Sequence, residues 1–222
     1  MKLAKQFKKD IETVKNIPSK ERKISFIMEY YGVAIVSIVV ILALVIGGSV
    51  KALTKDKTIM YAVLVNTDAL VTETNDTIFN QILADSGMDM KKKTVDINKE
   101  LFIGLNQNEE EDVRTFQVLS ALFTVSDLDL FVSDSTTLDI FALRDAFANL
   151  SVLLEPSLLK EYEEDLYYVE GSNGEKYVGG IILHQDSKLH KAGFYHNDVV
   201  IGIANNAVYF DTALELLKQI LK

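Results

Sequence analysis

The sequence predicts an α/β fold, a mixed and partly parallel sheet with flanking helices, preceded by one transmembrane helix. Three observations predict it. Tyr30–Val50, YYGVAIVSIVVILALVIGGSV, contains no charged residue and is bounded by Glu29 and Lys51. Beyond it, short apolar runs end in turn-forming residues, as buried strands do. Between those runs lie segments whose apolar residues recur at helical spacing. Alternation of the two element types implies helices packed on the faces of a sheet.

As a helix, Tyr30–Val50 reaches about 31 Å, close to the hydrocarbon thickness of a bilayer. A signal peptide has a shorter apolar core, about 7–15 residues. Lys51 also separates Val50 from Ala52, the small-residue pair a cleavage site would use. The stretch therefore reads as a retained anchor, and it divides the chain into a basic tail (1–29), the span (30–50), a polar linker (51–58) and a domain (59–222). Residues 1–56 hold 10 Lys/Arg and 5 Asp/Glu, whereas residues 57–222 hold 13 and 27, a net of −14. Basic flanks favour the cytoplasm, so the tail is expected inside and the domain extracytoplasmic, with Tyr30 and Tyr31 at the headgroup boundary.

In the tail, Leu3, Phe7, Ile11 and Val14 share a helical face among Lys2, Lys5, Lys8, Lys9 and Lys15. That pattern fits a helix lying on an anionic leaflet, and equally a solvated basic tail. Ala43 and Gly47 form a small-xxx-small pair that lets a partner helix approach closely, a pair also common by chance. The acidic domain disfavours nucleic acid as a partner. The absence of cysteine excludes disulfides, thiolate metal ligands, a cysteine nucleophile and a lipidated N-terminal cysteine.

The domain's elements follow in order. Ile59–Val65 reads as a buried strand followed by the turn residues Asn66, Thr67 and Asp68. Residues 74–86 place Ile78, Phe79, Ile82 and Leu83 at helical spacing, with Gly87 as the stop. A weaker strand spans 93–97. A helix over 109–124 opens on Glu109, Glu110, Glu111 and Asp112, whose charges suit a helix N-terminus, with Val113, Phe116, Val118, Leu119, Leu122 and Phe123 as its apolar face. Leu128–Val132 is a strand, and Ser133, Asp134 and Ser135 form a capping cluster before a helix over 138–147. Pro156 suits the first position of a helix running to Asp165, with Leu158, Leu159 and Tyr162 turned inward. Strands over 167–169 and 177–183 flank the turn 171–174. A short helix over 187–192, a strand over 198–204 and an amphipathic helix over 210–221 complete the chain.

Candidate functional residues come from two loops. In open α/β sheets, ligands bind beyond the carboxyl ends of strands. Asn66, Thr67 and Asp68 occupy that place after the first strand, and Ser133, Asp134, Ser135, Thr136 and Thr137 occupy it after the third. A ligand site is expected where the two loops meet; turn formation and helix capping explain the same residues without one. His184, His190 and His196 are six apart, a spacing that fits neither a helical face nor the short pairs of zinc sites, so no metal is expected. The acidic run 109–112 lacks calcium-loop spacing. There is no nucleophile elbow, phosphate-binding glycine loop or H-E-x-x-H, so neither a catalytic set nor a cofactor is implied.

From Leu128 onward, LDLFVSDSTTLDIFALRDAFANLSVLL, LLKEYEEDLYYVEGSNGEKYVGGIIL and DVVIGIANNAVYFDTALELLKQIL resemble, in that order, a lobe of type 2 extracytoplasmic solute-binding proteins. The likeness lies in a strand leading into a helix, an AF-x-x-L segment, a Tyr- and Gly-rich return, and a late strand before a C-terminal helix with paired leucines. It covers Leu128 to Lys222, with Ile59–Val65 matching the family's first strand. It implies a single binding-protein-like lobe, in a small single-pass protein of Gram-positive bacterial type, where full members have two. Two functions follow as expectations: binding of a solute or protein partner outside the membrane, or a non-catalytic accessory subunit of a membrane complex such as a transporter. The expected partners are the lipid bilayer and other membrane proteins.

Overall fold

The structure, a computed structural model, describes residues 14–54, 56–68, 72–104 and 110–222, without the side chains of residues 34, 35, 38 and 43–54. The chain divides into two compact units, Met1–Lys55 and Asp56–Lys222.

Among the described residues, the first unit carries the long helix α1 (Lys20–Thr54), preceded by helical residues 14–16. Helix α1 contains all of Tyr30–Val50 and continues through the first half of the stretch expected as linker. Among the described residues, no helix is long and apolar enough to cross a membrane. The expected transmembrane helix is thus not found there, and much of the apolar stretch has side chains outside the described set. The tail residues Leu3, Phe7 and Ile11 lie outside the described residues, and so do the side chains of the Ala43–Gly47 pair.

The second unit is the expected α/β domain. In chain order it comprises β1 (Lys57–Val65), α2 (Ile78–Asp85), β2 (Lys93–Leu101), α3 (Glu110–Thr124), β3 (Leu130–Ser133), α4 (Ser135–Ala142), α5 (Pro156–Glu161), β4 (Leu166–Glu170), β5 (Lys176–Leu183), α6 (Lys188–Lys191), β6 (Val199–Ile203) and α7 (Phe210–Leu221). Six strands form one sheet in the order β2-β1-β3-β6-β5-β4. β1 pairs in parallel with both β2 and β3, while β6 is antiparallel to β3, β5 to β6 and β4 to β5. The sheet is therefore mixed and partly parallel.

Strand order explains the layers. The chain steps from β1 to β2 on one side, then back past β1 to β3 on the other. Parallel crossovers are right-handed, so a reversal of direction puts the two connecting helices on opposite faces. On one face, Phe79, Ile82 and Leu83 of α2 and Leu216, Leu217 and Ile220 of α7 pack over Met60, Leu64 and Val132. On the other, Leu119 and Phe123 of α3 and Leu138 and Phe141 of α4 pack over Val63, Val65 and Phe131. Alternate residues of β1 thus feed two cores, which is why Ile59–Val65 reads as a continuous apolar run.

Several element bounds differ from the sequence expectation, for local reasons. β2 runs on to Leu101 although it reads KTVDINKEL, because an edge strand buries little of each residue. α4 begins at Ser135 and ends at Ala142, not 138–147: Asp134 caps it, Asp145 turns the chain with φ 54°, and Phe147 forms a bridge with Ala204. In α3, Val113 and Val118 are exposed and not part of the buried face. Gly193 follows α6 as expected, and its φ of +85° is joined by a steric reason: an added Cβ would lie 2.5 Å from the carbonyl oxygen of Glu73.

Candidate functional site

Reversal of strand order opens a crevice beyond the carboxyl ends of β1 and β3, where ligands bind in open α/β sheets. Tyr195 closes it from the α2/α7 face. Its buried hydroxyl lies 3.1 Å from the Val65 carbonyl oxygen and 3.2 Å from that of Val132, so one phenol ties the ends of β1 and β3. Burial, with Asp134 and Asp68 nearby, holds that phenol well above its usual pKa, so it is a permanent donor.

The α3/α4 face stays open. There a cavity of about 660 Å³ lies between the two helices and the loops after β1 and β2. Ile103 and Gly104 come from the β2 loop; α3 contributes Asp112, Val113 and Phe116. Asp134, Thr136, Thr137 and Ile140 come from α4 and its cap, and Asn66 from the β1 loop. Apolar walls thus meet a polar rim, the usual make-up of a small-molecule site.

Asn66 organises the rim. It adopts φ 58°, a left-handed conformation that Asn tolerates better than other side-chain-bearing residues. Its side chain reads the Ile103 peptide like a strand neighbour: Oδ1 accepts from the Ile103 amide at 2.8 Å and Nδ2 donates to the Ile103 carbonyl at 3.0 Å. Nδ2 also donates to Asp134 Oδ2 at 2.8 Å. Asp134 in turn caps α4, accepting from the Thr137 amide at 2.9 Å and the Thr137 hydroxyl at 2.8 Å. The loops that follow β1 and β3 therefore do meet. Asn66→Ala is expected to lower stability by about 1–3 kcal/mol through lost bonds to the half-buried Ile103 peptide groups. Asn66→Gly, free to take the positive φ, should lose less; urea midpoints of both variants decide this.

The sequence candidates divide. Asn66, Asp134 and Thr136 line the cavity. Thr67 is buried and its hydroxyl donates to the Lys99 carbonyl at 2.9 Å. Asp68 turns to the β5–β6 connection, where Oδ2 accepts from the His196 amide at 2.9 Å and lies 2.8 Å from its ring Nδ1. Ser133 is buried with its hydroxyl on the Asp134 carbonyl, and Ser135 is exposed. Neither of these serines is among the cavity's lining residues. Thr137, from the same stretch, lines the cavity too, whereas Ile103, Gly104, Asp112, Val113, Phe116 and Ile140 were not singled out from the sequence as site residues. Asp112 reads there as a solvated helix start and Phe116 as core. Only the strand order, which periodicity does not carry, turns both toward the crevice.

The three histidines do not converge. His196 is on Asp68, His190 sits between the Ser187 hydroxyl (2.6 Å) and the Asn197 carbonyl (2.7 Å), and His184 bridges Asp165 (2.9 Å) and Asp198 (2.8 Å). Among the described residues no group of three or more His, Asp or Glu side chains is placed to hold a metal. The hydrogen bond to Asp165, then that to Asp198, raises the His184 pKa above its usual value. The imidazolium's bonds to the carboxylates therefore stabilise the fold below about pH 6.5, its unfolded value, and that contribution is lost as pH rises through the raised folded value. His184 is half exposed, so the effect is small. The melting-temperature gap between the parent protein and His184→Asn should shrink as pH climbs through that window.

In comparisons with protein-family models, curated proteins and solved structures, nothing matches this chain.

Proposed function

We propose that the chain is a single-pass membrane protein whose extracytoplasmic α/β domain binds a small ligand between α3 and α4. The cavity at the strand-order reversal carries this reading: it is preformed, apolar inside, polar at the rim and of ligand size. The membrane anchor rests on the uncharged stretch Tyr30–Val50 within a 35-residue helix, and its orientation on the basic tail and acidic domain. The extracytoplasmic binding role also rests on the resemblance of the quoted segments to a solute-binding lobe; the late strand of that motif is β6, between β3 and β5, and α7 follows it.

Two measurements test this. With tags at both ends of the full chain, protease added to intact cells or spheroplasts should remove the C-terminal tag and spare the N-terminal one; a protected C-terminus overturns the extracytoplasmic placement. A screen of small molecules by calorimetric melting should find one class that stabilises the domain. At about 100-fold excess over Kd the gain is ~2.7 kcal/mol, or roughly 5–10 °C for a domain of this size. Ile140→Trp, which pushes a bulky ring into the cavity from its wall, should weaken or abolish the response; a response that it leaves unchanged moves the site elsewhere. Co-purification of other membrane proteins without any ligand response would favour the accessory-subunit function.

A further inference from the structure

We propose that the cavity between α3 and α4 takes an organic cation, an apolar body ending in an ammonium group, with Asp112 as its counter-charge. The inference rests on the reading of this cavity as a ligand site and adds its chemistry.

The walls set the body of the ligand. Ile103, Val113, Phe116 and Ile140 offer aliphatic and aromatic surface that a hydrophilic solute would leave unused. The charges set its head. Asp112 and Asp134 both line the cavity, and no Lys or Arg is among its described lining residues. Arg144 stands over the Phe116 ring, 5.0 Å from its centroid, but lines a different hollow with Ser120 and Asn206. The N-termini of α3 and α4 oppose the carboxylates, each contributing about +0.5 of an elementary charge. Among the described lining residues, two full negative charges against two halves leave about −1. The domain around it is acidic as well, so an anion meets repulsion at close and at long range.

The two carboxylates differ in availability. Asp134 already accepts from the Thr137 amide, the Thr137 hydroxyl and Asn66. Asp112 accepts from the Gly104 amide through Oδ1 at 2.7 Å, and among the described residues Oδ2 has no donor. Gly104 packs closely on one side of that carboxylate, where an added Cβ would stand only 3.0 Å from Oδ2, so a ligand reaches Oδ2 from the cavity side. An ammonium group therefore finds its acceptor at Asp112, with the Thr136 hydroxyl on the same rim. A bare divalent ion fits less well, because it asks for about six oxygens and these walls are mostly carbon.

Matched probes test the proposal on the full chain in micelles of an uncharged detergent, by titration calorimetry with a micelle blank. Primary amines from butylamine to octylamine, and 2-phenylethylamine, are each paired with the alcohol and the carboxylate of the same body. The expected result is amine affinity about tenfold above the matched alcohol, the worth of one charge-assisted hydrogen bond, with the carboxylate weakest. Asp112→Asn should erase the amine's advantage while leaving alcohol binding in place. Alcohols or carboxylates binding as well as amines, with all binding lost in Ile140→Trp, would overturn the cation and keep the ligand site. Absence of binding by every probe at millimolar concentration, or binding unchanged in Ile140→Trp, would overturn both. The probe comparison on the parent chain stands even if a variant fails to fold.

Discussion

Replacing Asp129 with Ala is expected to lower the stability of the domain by about 2–5 kcal/mol, and its melting temperature by roughly 5–20 °C. Asp129 is only 2% exposed, and no Lys, Arg or His is within ion-pairing distance among the described residues. Its carboxylate is held by backbone instead. Oδ2 accepts from the Tyr61 amide at 2.8 Å and Oδ1 from the Tyr209 amide at 2.7 Å. Its own amide donates to the Tyr61 carbonyl, and its carbonyl accepts from Ala204. One residue thus joins β1, the end of β6 and the entry to α7. Truncation strands two partly buried amides, and each orphaned group costs about 1–3 kcal/mol. The buried charge works the other way, since removing it removes a desolvation penalty. The two orphaned amides outweigh that relief because the carboxylate is already solvated by them. Asp129→Asn separates the two effects: it removes the charge but keeps one acceptor, and turns an NH₂ toward the second amide. It should therefore fall between the parent protein and Asp129→Ala in urea midpoint. If Asp129→Ala melted within about 2 °C of the parent, the carboxylate would not be a fastener of the fold.

Asp129 also shows where sequence reading stops. In LDLFV it passes for the polar member of a strand pattern, and nothing local reveals that its partners sit 68 and 80 residues away. What local chemistry does reveal is well retained. Asp134 reads as a helix cap and is one, and Pro156 opens α5 at its first position. Buried strands β1, β3 and β6 stand out because both of their faces are covered and their residues are apolar without interruption. Ends of helices are harder. α4 stops without a glycine because Asp145 takes the left-handed turn itself, so the apolar residues beyond it still look helical. α3 misleads in the other direction: Val118 matches the apolar spacing yet stays exposed, while Phe116 serves the cavity and the core at once.

The candidate site was half legible for the same physical reason. That two polar loops follow two strands is local information, and Asn66 and Asp134 do meet through a 2.8 Å hydrogen bond. Which neighbouring side chains face them depends on β2 and β3 flanking β1 on opposite sides. That arrangement follows from pairing between residues distant in sequence, for example Ala62 with Leu130. Asp68 illustrates the consequence. It is two residues from Asn66, but the chain has turned, and its carboxylate serves the loop that carries His196.

The largest expected effect falls on the aromatic packing behind the cavity wall. Phe141 is 1% exposed and sits inside a cluster of aromatic rings. Its centroid lies 5.4 Å from Phe116, 5.1 Å from Phe123 and 5.9 Å from Phe131, within the 4.5–7 Å range in which ring pairs attract beyond simple burial. Phe141→Ala should cost about 3–5 kcal/mol, the transfer energy of the ring plus the void it leaves. Phe141→Leu refills much of that volume and should cost less than half as much. The consequence for the site is separate from the consequence for stability. Phe116, stacked on Phe141 at an interplanar angle of 27°, is also a wall of the cavity. Without Phe141 the Phe116 ring loses its backing and the void beneath it merges with the cavity, so a ligand seated there would contact a mobile wall. A Phe141→Leu chain, still folded, should therefore bind a ligand of this cavity more weakly than the parent, whereas Phe79→Leu in the opposite core should leave affinity unchanged at a comparable loss of stability. Urea midpoints and titration calorimetry on the two leucine variants give the comparison directly. Equal losses of affinity in both would mean that binding follows overall stability, and would detach the cavity between α3 and α4 from the ligand.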